Sequence, residues 1–448
     1  MFLSLTRRTK KTIFIPMERD KKTRAVFKRL ITDFHEHPVP SRMARDIEIP
    51  LDSGKIVSIV GVRRSGKTSL VYNLIDRLRQ SIPQSNIVYI NFEDDRLYPL
   101  HLQDCNDLIE AYYELYPQQR ERPTYFFFDE IQNVPHWEKF IRRIHDTLPI
   151  NIVITGSSSK LLSSDIATSL RGRTLTYEIF PFSFSEYLRF QGIDINLYSS
   201  KSLSHIKHAF AQYLVHGGFP ETINASPDIR TRTIQDYADL IVYKDIIERY
   251  HIQNHALMKH VIKYSFANIS TPLSINKLYN DFKSQGFKLS KDTLFDYFSY
   301  LNDAYAIFNI PVFKNSVREQ QRNPKKIFAV DTAFKTVFDA FLEPDYGHLY
   351  ENTAFLHLRR KSKQIYYLQH NQEIDFYCQT QSGPTIANIS YDLSQPQTYT
   401  RECSGMAEAL RYLDLPAGYL VTSEQEETVH RDEKSIHLIP LWKWLLTT

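Results

Sequence analysis

The stretch Gly61-Val62-Arg63-Arg64-Ser65-Gly66-Lys67-Thr68 constrains this chain most, because it sets a G-x-x-x-x-G-K-T pattern directly behind the apolar run Ile56-Val57-Ser58-Ile59-Val60. A strand that stops at a glycine-rich turn and restarts as a helix points several backbone N–H groups into one concavity, where phosphate oxygens sit. Gly61 and Gly66 permit backbone angles and approaches that a side chain blocks. Lys67 is placed to reach the β/γ-phosphates and the Thr68 hydroxyl to ligate Mg²⁺. From Ser69 to Leu78 the apolar residues recur at helical intervals, so the loop has the strand-before, helix-after context the pattern requires. Nucleotide binding through residues 61–69, Gly61 to Ser69, with Mg²⁺ beside the phosphates, is the first expectation.

Tyr125-Phe126-Phe127-Phe128 describes a strand buried on both faces, and it ends in Asp129-Glu130. This strand is expected to lie beside the phosphate loop, with Asp129 in the Mg²⁺ shell and Glu130 polarising the water that attacks the γ-phosphate. The plainer alternative is a pair of solvated acids at a strand end. Asn151-Ile152-Val153-Ile154-Thr155-Gly156-Ser157 reads as the next parallel strand. A hydroxyl at its tip, Ser157 or Thr155, is a candidate sensor of the γ-phosphate, and capping of a helix that starts near Ser158 and Ser159 is the competing role. Leu170-Arg171-Gly172-Arg173 then leads into the apolar run Leu175 to Phe180. Arg171 and Arg173 are both candidates for a finger reaching a neighbouring subunit's nucleotide, against a helix-capping or acid-pairing role.

Taken in order, these segments resemble the AAA+ ATPase superfamily, and within it the prokaryotic ATP-binding proteins whose ATPase module precedes a C-terminal domain of unknown function. The resemblance continues through Phe128-Asp129-Glu130-Ile131-Gln132-Asn133-Val134, Ile154 to Leu162, Pro181-Phe182-Ser183-Phe184-Ser185-Glu186-Tyr187 and Gly217-Gly218-Phe219-Pro220-Glu221, covering nearly all the chain after residue 40. It implies ATPase activity, with Lys67 and Glu130 in catalytic roles, Thr68 and Asp129 on the metal and Ser157 at the sensor position. It leaves open which arginine is the finger.

A chain of 448 residues is too long for one core, and its net charge of +4 does not by itself point to nucleic acid. The three cysteines are far apart with no C-x-x-C spacing, which indicates neither a disulfide framework nor a zinc site and fits a cytoplasmic protein. No apolar run is long enough to span a membrane. Basic residues from Arg7 to Arg24 read as a flexible arm, and Met17 is an alternative start.

The organisation expected is an α/β P-loop NTPase with a doubly wound parallel sheet and a helical lid, followed by a winged helix and a small restriction-endonuclease-like domain. Its boundaries are 1–40 for the arm and a helix over Ala25–His35, 41–182 for the ATPase core, 183–254 for the lid, 255–340 for the winged helix and 341–448 for the C-terminal domain. Ser274 and Ser290 cap two helices of a helix–turn–helix, with wing strands at Ile307 to Val312 and Lys326 to Val330. Lys288, Lys291, Arg318, Arg322, Lys325 and Lys326 are then available to DNA, a protein partner being the alternative. Over 350–358 an amphipathic helix carries Glu351, and strands follow at Gln364–Gln369, Ile374–Gln379 and Ile386–Tyr391. Glu351, Asp375 and Asn388-Ile389-Ser390 resemble a PD-(D/E)xK nuclease order lacking its second acid and its lysine, for which Lys361 or Lys363 is a distant substitute. The leading expectation is ATP hydrolysis coupled to motion of the C-terminal domains, in a homo-oligomer if the finger acts in trans. The alternatives are a nucleotide-gated switch with little turnover, a small-molecule phosphotransferase or an ATP-dependent nuclease.

Overall fold

The structure is a computed structural model, and it describes residues 16–40, 42–157, 169–170, 172–314, 316–339, 344–380 and 383–448. Arg171, Ser158, Ser159 and the basic residues before residue 16 lie outside the described residues, as do the side chains of Arg19, Lys21 and Arg322. The first described element begins earlier than expected. A helix runs over Pro16–Glu36 rather than beginning at Ala25, with Phe27 and Ile31 fully buried. Arg24 pairs with Asp107 and Glu114, both at 2.9 Å, so this basic residue docks the helix instead of waiting for a partner.

Strands β1 (Ile56–Val60), β2 (Ile87–Asn91), β3 (Thr124–Asp129), β4 (Ile150–Gly156) and β5 (Thr174–Glu178) form one parallel sheet in the order β2-β3-β4-β1-β5. Helices on both faces leave β3 buried along its whole length, which is why its sequence is an unbroken aromatic run. β3 is not the sheet neighbour of the loop-bearing strand: β4 lies between them. The register carries Asp129 back to the loop all the same. Val60 sits opposite Gly156 and Phe128 opposite Ile154, so the chain leaves β1, β3 and β4 along one edge of the sheet.

Beyond the sheet, helices over Phe184–Phe190, Ser200–His216 and Pro227–Leu240 build a cap, the last continuing through wider i→i+5 turns over Ile241–Ile247 to Tyr250. The capped helices Ile275–Ser284 and Lys291–Asp303 follow, with Ser274 and Ser290 accepting from Lys277 and Thr293 as their sequence positions require. They pack against a three-stranded sheet of β6 (Pro272–Leu273), β8 (Lys325–Ala329) and β7 (Ile307–Ile310) in that order.

The last part holds a six-stranded mixed sheet, β13-β14-β12-β11-β10-β9, with β9 at Ile365–Gln369, β10 at Glu373–Thr380, β11 at Gly383–Ile389, β12 at Ala417–Thr422, β13 at Glu427–Arg431 and β14 at Lys434–Pro440. Its helix Tyr346–Lys361 is not amphipathic, because Leu349 to Leu356 are all buried, Glu351 and Asn352 included.

Two buried charges join these parts. Asp331 accepts from Gly218 N at 2.8 Å and from Ala333 N at 2.9 Å, tying the turn at Gly217-Gly218 to the helix Thr332–Phe338. Gly217 has φ +74°, and a Cβ there would lie 1.7 Å from Asp331 Oδ1, so only glycine fits. Lys326 is the second, and it overturns two expectations. Its ammonium lies 3.0 Å from Glu351, 2.7 Å from Glu373 and 2.8 Å from Asp375, and the residue is 2% exposed, so it is closed to DNA. A lysine does stand at the acids, supplied by β8 and not by Lys361 or Lys363, the latter being paired with Glu178 at 3.1 Å. Burial pushes the Lys326 pKa down, but Asp375, Glu351 and Glu373 outweigh it and hold the ammonium charged. Burial and then Asp375 push Glu351 well above the usual carboxyl range. Asn388, where the nuclease-like resemblance expects a second acid, accepts from Asp375 N at 3.1 Å and donates to Glu402 at 2.8 Å.

Lys326→Met leaves three carboxylates gathered without a counter-ion, and a loss of about 3–5 kcal/mol is expected in urea unfolding. Adding Glu351→Gln and Asp375→Asn to that variant should recover much of the loss. Asp331 gives a pH signature, because burial raises its pKa from 3.8 to about 6. A raised folded pKa contributes stability that is full below the unfolded value and lost as pH rises through the folded one. Between pH 4 and 7 the wild type should therefore lose on the order of 2–3 kcal/mol relative to Asp331→Asn, read from paired thermal melts.

Candidate functional site

Gly61 opens the phosphate loop with φ +151°, and a Cβ would lie 2.1 Å from Ile179 O, so the turn out of β1 passes too close to the end of β5 for a side chain. The loop runs into the helix Lys67–Arg79, whose start is set by Gly66 in the left-handed region at φ 96°. Arg45 holds the loop from outside by donating to Ser65 O at 2.9 Å, while its Nε pairs with Glu186 at 2.8 Å. Burial opposes ionisation of Glu186, but Arg45 overcomes it and keeps that carboxyl down at about 2.

Lys67 is buried, and its ammonium rests on the carbonyls of Gly61 and Val62 at 3.1 Å each, with Glu130 at 4.0 Å. Thr68 Oγ1 donates to Asp129 Oδ2 at 2.8 Å. The same carboxylate accepts from Tyr89 at 2.9 Å and from the Thr155 hydroxyl, so hydroxyl donors from three elements fix it. Buried beside Asp129, the Tyr89 phenol is pushed far above its ordinary pKa and stays a donor. The oxygens of Thr68 and Asp129 are hard donors of the kind Mg²⁺ takes, and they meet at the mouth of the loop. They fit the ion in chemistry and in place.

Glu130 has φ 52°, a left-handed conformation uncommon outside glycine, and its carboxylate accepts from Gln132. Its backbone N–H donates to Thr155 Oγ1 at 3.0 Å. Thr155 therefore binds the Asp129-Glu130 corner. Ser157 lies at the tip of β4, fully buried, and donates to Asp245 Oδ1 at 3.1 Å. A cleft of about 370 Å³ opens over the loop, lined among others by Arg63, Lys67, Thr68, Glu93, Glu130 and Leu240.

Two loop arginines reach the cap. Arg63 Nε lies 3.1 Å from each oxygen of Asp245, and its Nη1 lies 3.2 Å from Glu93. Arg64 pairs with Glu221 at 3.1 Å, and Tyr237 donates to the same carboxylate. Burial raises the pKa of Asp245, against the pull of Arg63 and Arg249.

Arg173 is the expected residue that the structure does not bring to the site. It precedes Thr174, which pairs with Ile56 at the start of β1, so about 13 Å of strand separates it from the loop edge. It is bound to Asp146 at 2.8 Å, the acid-pairing role. Of the residues that sequence reasoning missed, Gln132 and Glu221 stood inside quoted motifs without a role, and Tyr89 lay outside every motif. Asp245 gave no signal, being 182 residues from its partner Arg63.

Residues 53–188 match the family model of an AAA domain, and residues 207–340 match that of a domain of unknown function, DUF8612. An uncharacterized protein of Methanocaldococcus jannaschii is 34% identical over 445 residues, 96% of each chain. An uncharacterized protein of Haemophilus influenzae is 28% identical over 88% of this chain and 95% of its own. Among solved structures, the chain is similar to a Walker-type ATPase of Pyrococcus abyssi at TM-score 0.40 and 14% identity, over 75% of this chain and 99% of that one. The Aeropyrum pernix ORC1 protein in complex with DNA aligns at TM-score 0.31 and 13% identity, over 72% and 92%. With its phosphate loop, its acid-tipped strand and a relative matched from end to end, the chain belongs to the AAA+ family of P-loop ATPases, in the group that carries a domain of unknown function after the ATPase module.

Proposed function

We propose that this chain hydrolyses ATP with Mg²⁺ in the cleft above the phosphate loop and passes the nucleotide state to its C-terminal parts. One observation carries the reading: Lys67, the Thr68–Asp129 pair and Glu130 converge on one edge of the sheet, with Thr68 2.8 Å from Asp129 and Lys67 4.0 Å from Glu130. Thr68 and Asp129 would hold the ion, which when bound neutralises charge on the β- and γ-phosphates. Lys67 exchanges the loop carbonyls it now occupies for phosphate oxygens. Backbone N–H groups of the loop, up to Ser69, complete the cradle. Glu130, turned by its left-handed backbone and held by Gln132, accepts the proton of the attacking water. Ser157 senses the site through Asp245.

Coupling is proposed to run through Arg63–Asp245 and Arg64–Glu221 into the cap, and from there through Gly218–Asp331 into the following helices. The division at residues 182, 254 and 340 is retained as part of the proposal. The helix pair and its small sheet are read as a winged helix that contacts DNA or protein, with Lys288, Lys291, Arg318 and Lys325 exposed for that purpose. The C-terminal domain is read as a restriction-endonuclease-like scaffold that does not cut, since the Lys326 ammonium occupies Glu351, Glu373 and Asp375. A homo-oligomer with a finger in trans is kept for Arg171, because Arg173 is engaged with Asp146. Three buried free cysteines, Cys105, Cys378 and Cys403, suit the cytoplasm, and no helix among the described residues is long and apolar enough to cross a membrane.

Lys67→Ala should abolish binding of a fluorescent ATP analogue or reduce turnover to background, and unchanged values in a folded variant sink the assignment. Glu130→Gln should keep ATP bound while turnover falls by about 10²-fold or more, measured as phosphate release. Arg173→Ala should leave turnover within about twofold of wild type, as expected of a surface ion pair.

A further inference from the structure

A hydrolytic site needs positive charge at the terminal phosphate as its oxygens take up the charge of the transition state, and an arginine in that place is worth about 10³–10⁵ in rate. Arg173 stands at the far edge of the sheet and is bound to Asp146. Another arginine already lines the cleft. We propose that Arg63, the third residue of the phosphate loop, is a second cation, beside Lys67, that the chain supplies to the terminal phosphate within its own cleft, and that Asp245 is the residue that positions it.

The geometry fits an arm anchored at one end and free at the other. A guanidinium carries five N–H donors in a rigid fork. Nε–H is fixed between both oxygens of Asp245 at 3.1 Å, and Nη1 meets Glu93 at 3.2 Å. No hydrogen bond from Nη2 occurs among the described residues, which leaves that amino group for a ligand oxygen. Glu93 is 44% exposed and is a rim partner that a phosphate can replace.

Asp245 is different. It is 0% exposed, accepts from Ser157 at 3.1 Å, has Arg249 at 3.8 Å, and lies in the i→i+5 turns, a geometry frequent at functional positions. A carboxylate taken out of water is costly unless its partners hold it, so its place is enforced from the loop, from β4 and from the cap together. In the hydrolytic step the water oxygen bonds to the γ-phosphorus as the bond from phosphorus to the bridging oxygen breaks. Glu130 takes the water's proton, and ADP leaves with the electron pair. Arg63 transfers nothing. It neutralises the oxygens of the group in flight, and Asp245 sets the angle from which it does so.

The inference rests on the ATPase reading, and the test separates the two. ATP turnover, Kd for a fluorescent ATP analogue and trapping of ADP with aluminium fluoride are measured on the full chain for wild type, Lys67→Ala, Arg63→Ala, Arg63→Lys, Asp245→Asn and the Arg63→Ala/Asp245→Asn pair. Arg63→Ala should lower kcat by about 10²-fold or more with Kd changed less than tenfold, and should fail to trap ADP·aluminium fluoride although it binds ADP. Arg63→Lys should recover part of the rate. Asp245→Asn, which keeps the size and an acceptor for Ser157, should lower kcat by about tenfold with Kd unchanged, and the double variant should be no slower than Arg63→Ala alone. Losses that multiply in the double variant, a loss confined to Kd, or normal trapping by Arg63→Ala overturns the proposal while Lys67→Ala remains inactive. A wild-type protein without turnover, or an active Lys67→Ala, brings down the ATPase reading and this inference with it. Should Asp245→Asn not fold, the trapping and rate of Arg63→Ala and Arg63→Lys decide the matter alone.

Discussion

The phosphate loop is held by charges that come from outside it. Arg45 grips the carbonyl of Ser65 from the segment ahead of β1, and Asp245 grips Arg63 from the cap. A glycine-rich turn alone loses much conformational entropy on ordering. Here two anchors, themselves fixed by Glu186 and by Ser157, take up that cost before any ligand arrives. The loop is therefore shaped in advance, with Lys67 resting on the carbonyls of Gly61 and Val62.

The same anchors make the nucleotide site hard to move in isolation. Glu186 opens the helix Phe184–Phe190 as a capping-box residue and also binds Arg45, so the loop and the first cap helix share one carboxylate. Glu178 at the end of β5 receives Arg359 at 2.9 Å and Lys363 at 3.1 Å from the C-terminal part, and Arg360 donates to Pro181 O at 2.8 Å. Asp331 binds the Gly217-Gly218 turn. Each link is a buried or half-buried charge with a defined partner. Such contacts are bistable, made or broken, and do not stretch gradually.

Much of the candidate site was legible because its chemistry is local. The loop, its strand and its helix are contiguous, and the aromatic run before Asp129-Glu130 announces a strand covered on both faces. The cap helices and the helix pair at Ser274 and Ser290 were also readable, since caps and apolar spacing act within a few residues. The strands β12 to β14 and the helix Pro396–Tyr412 carry no motif, and β12 joins β11 and β14 by parallel pairings that no local spacing marks. The helix carrying Glu351 was misjudged, because a helix buried nearly all round gives no polar face to count.

What the sequence determined by itself is local: a glycine-bounded turn between a strand and a helix, a hydroxyl at that helix's start, and two adjacent acids at the tip of a buried strand. What only the tertiary structure decided is which charges meet. Asp245 finds Arg63 across 182 residues, and Lys326 leaves its expected DNA-facing role to neutralise Glu351, Glu373 and Asp375. Arg173, adjacent to the site in a linear reading, is carried to the opposite edge by the direction of a parallel strand. The physical reason is the same in each case. Propensity and periodicity act over one or two turns, whereas a buried charge takes whichever counter-charge the packed fold delivers to it, and sequence distance has no part in that choice.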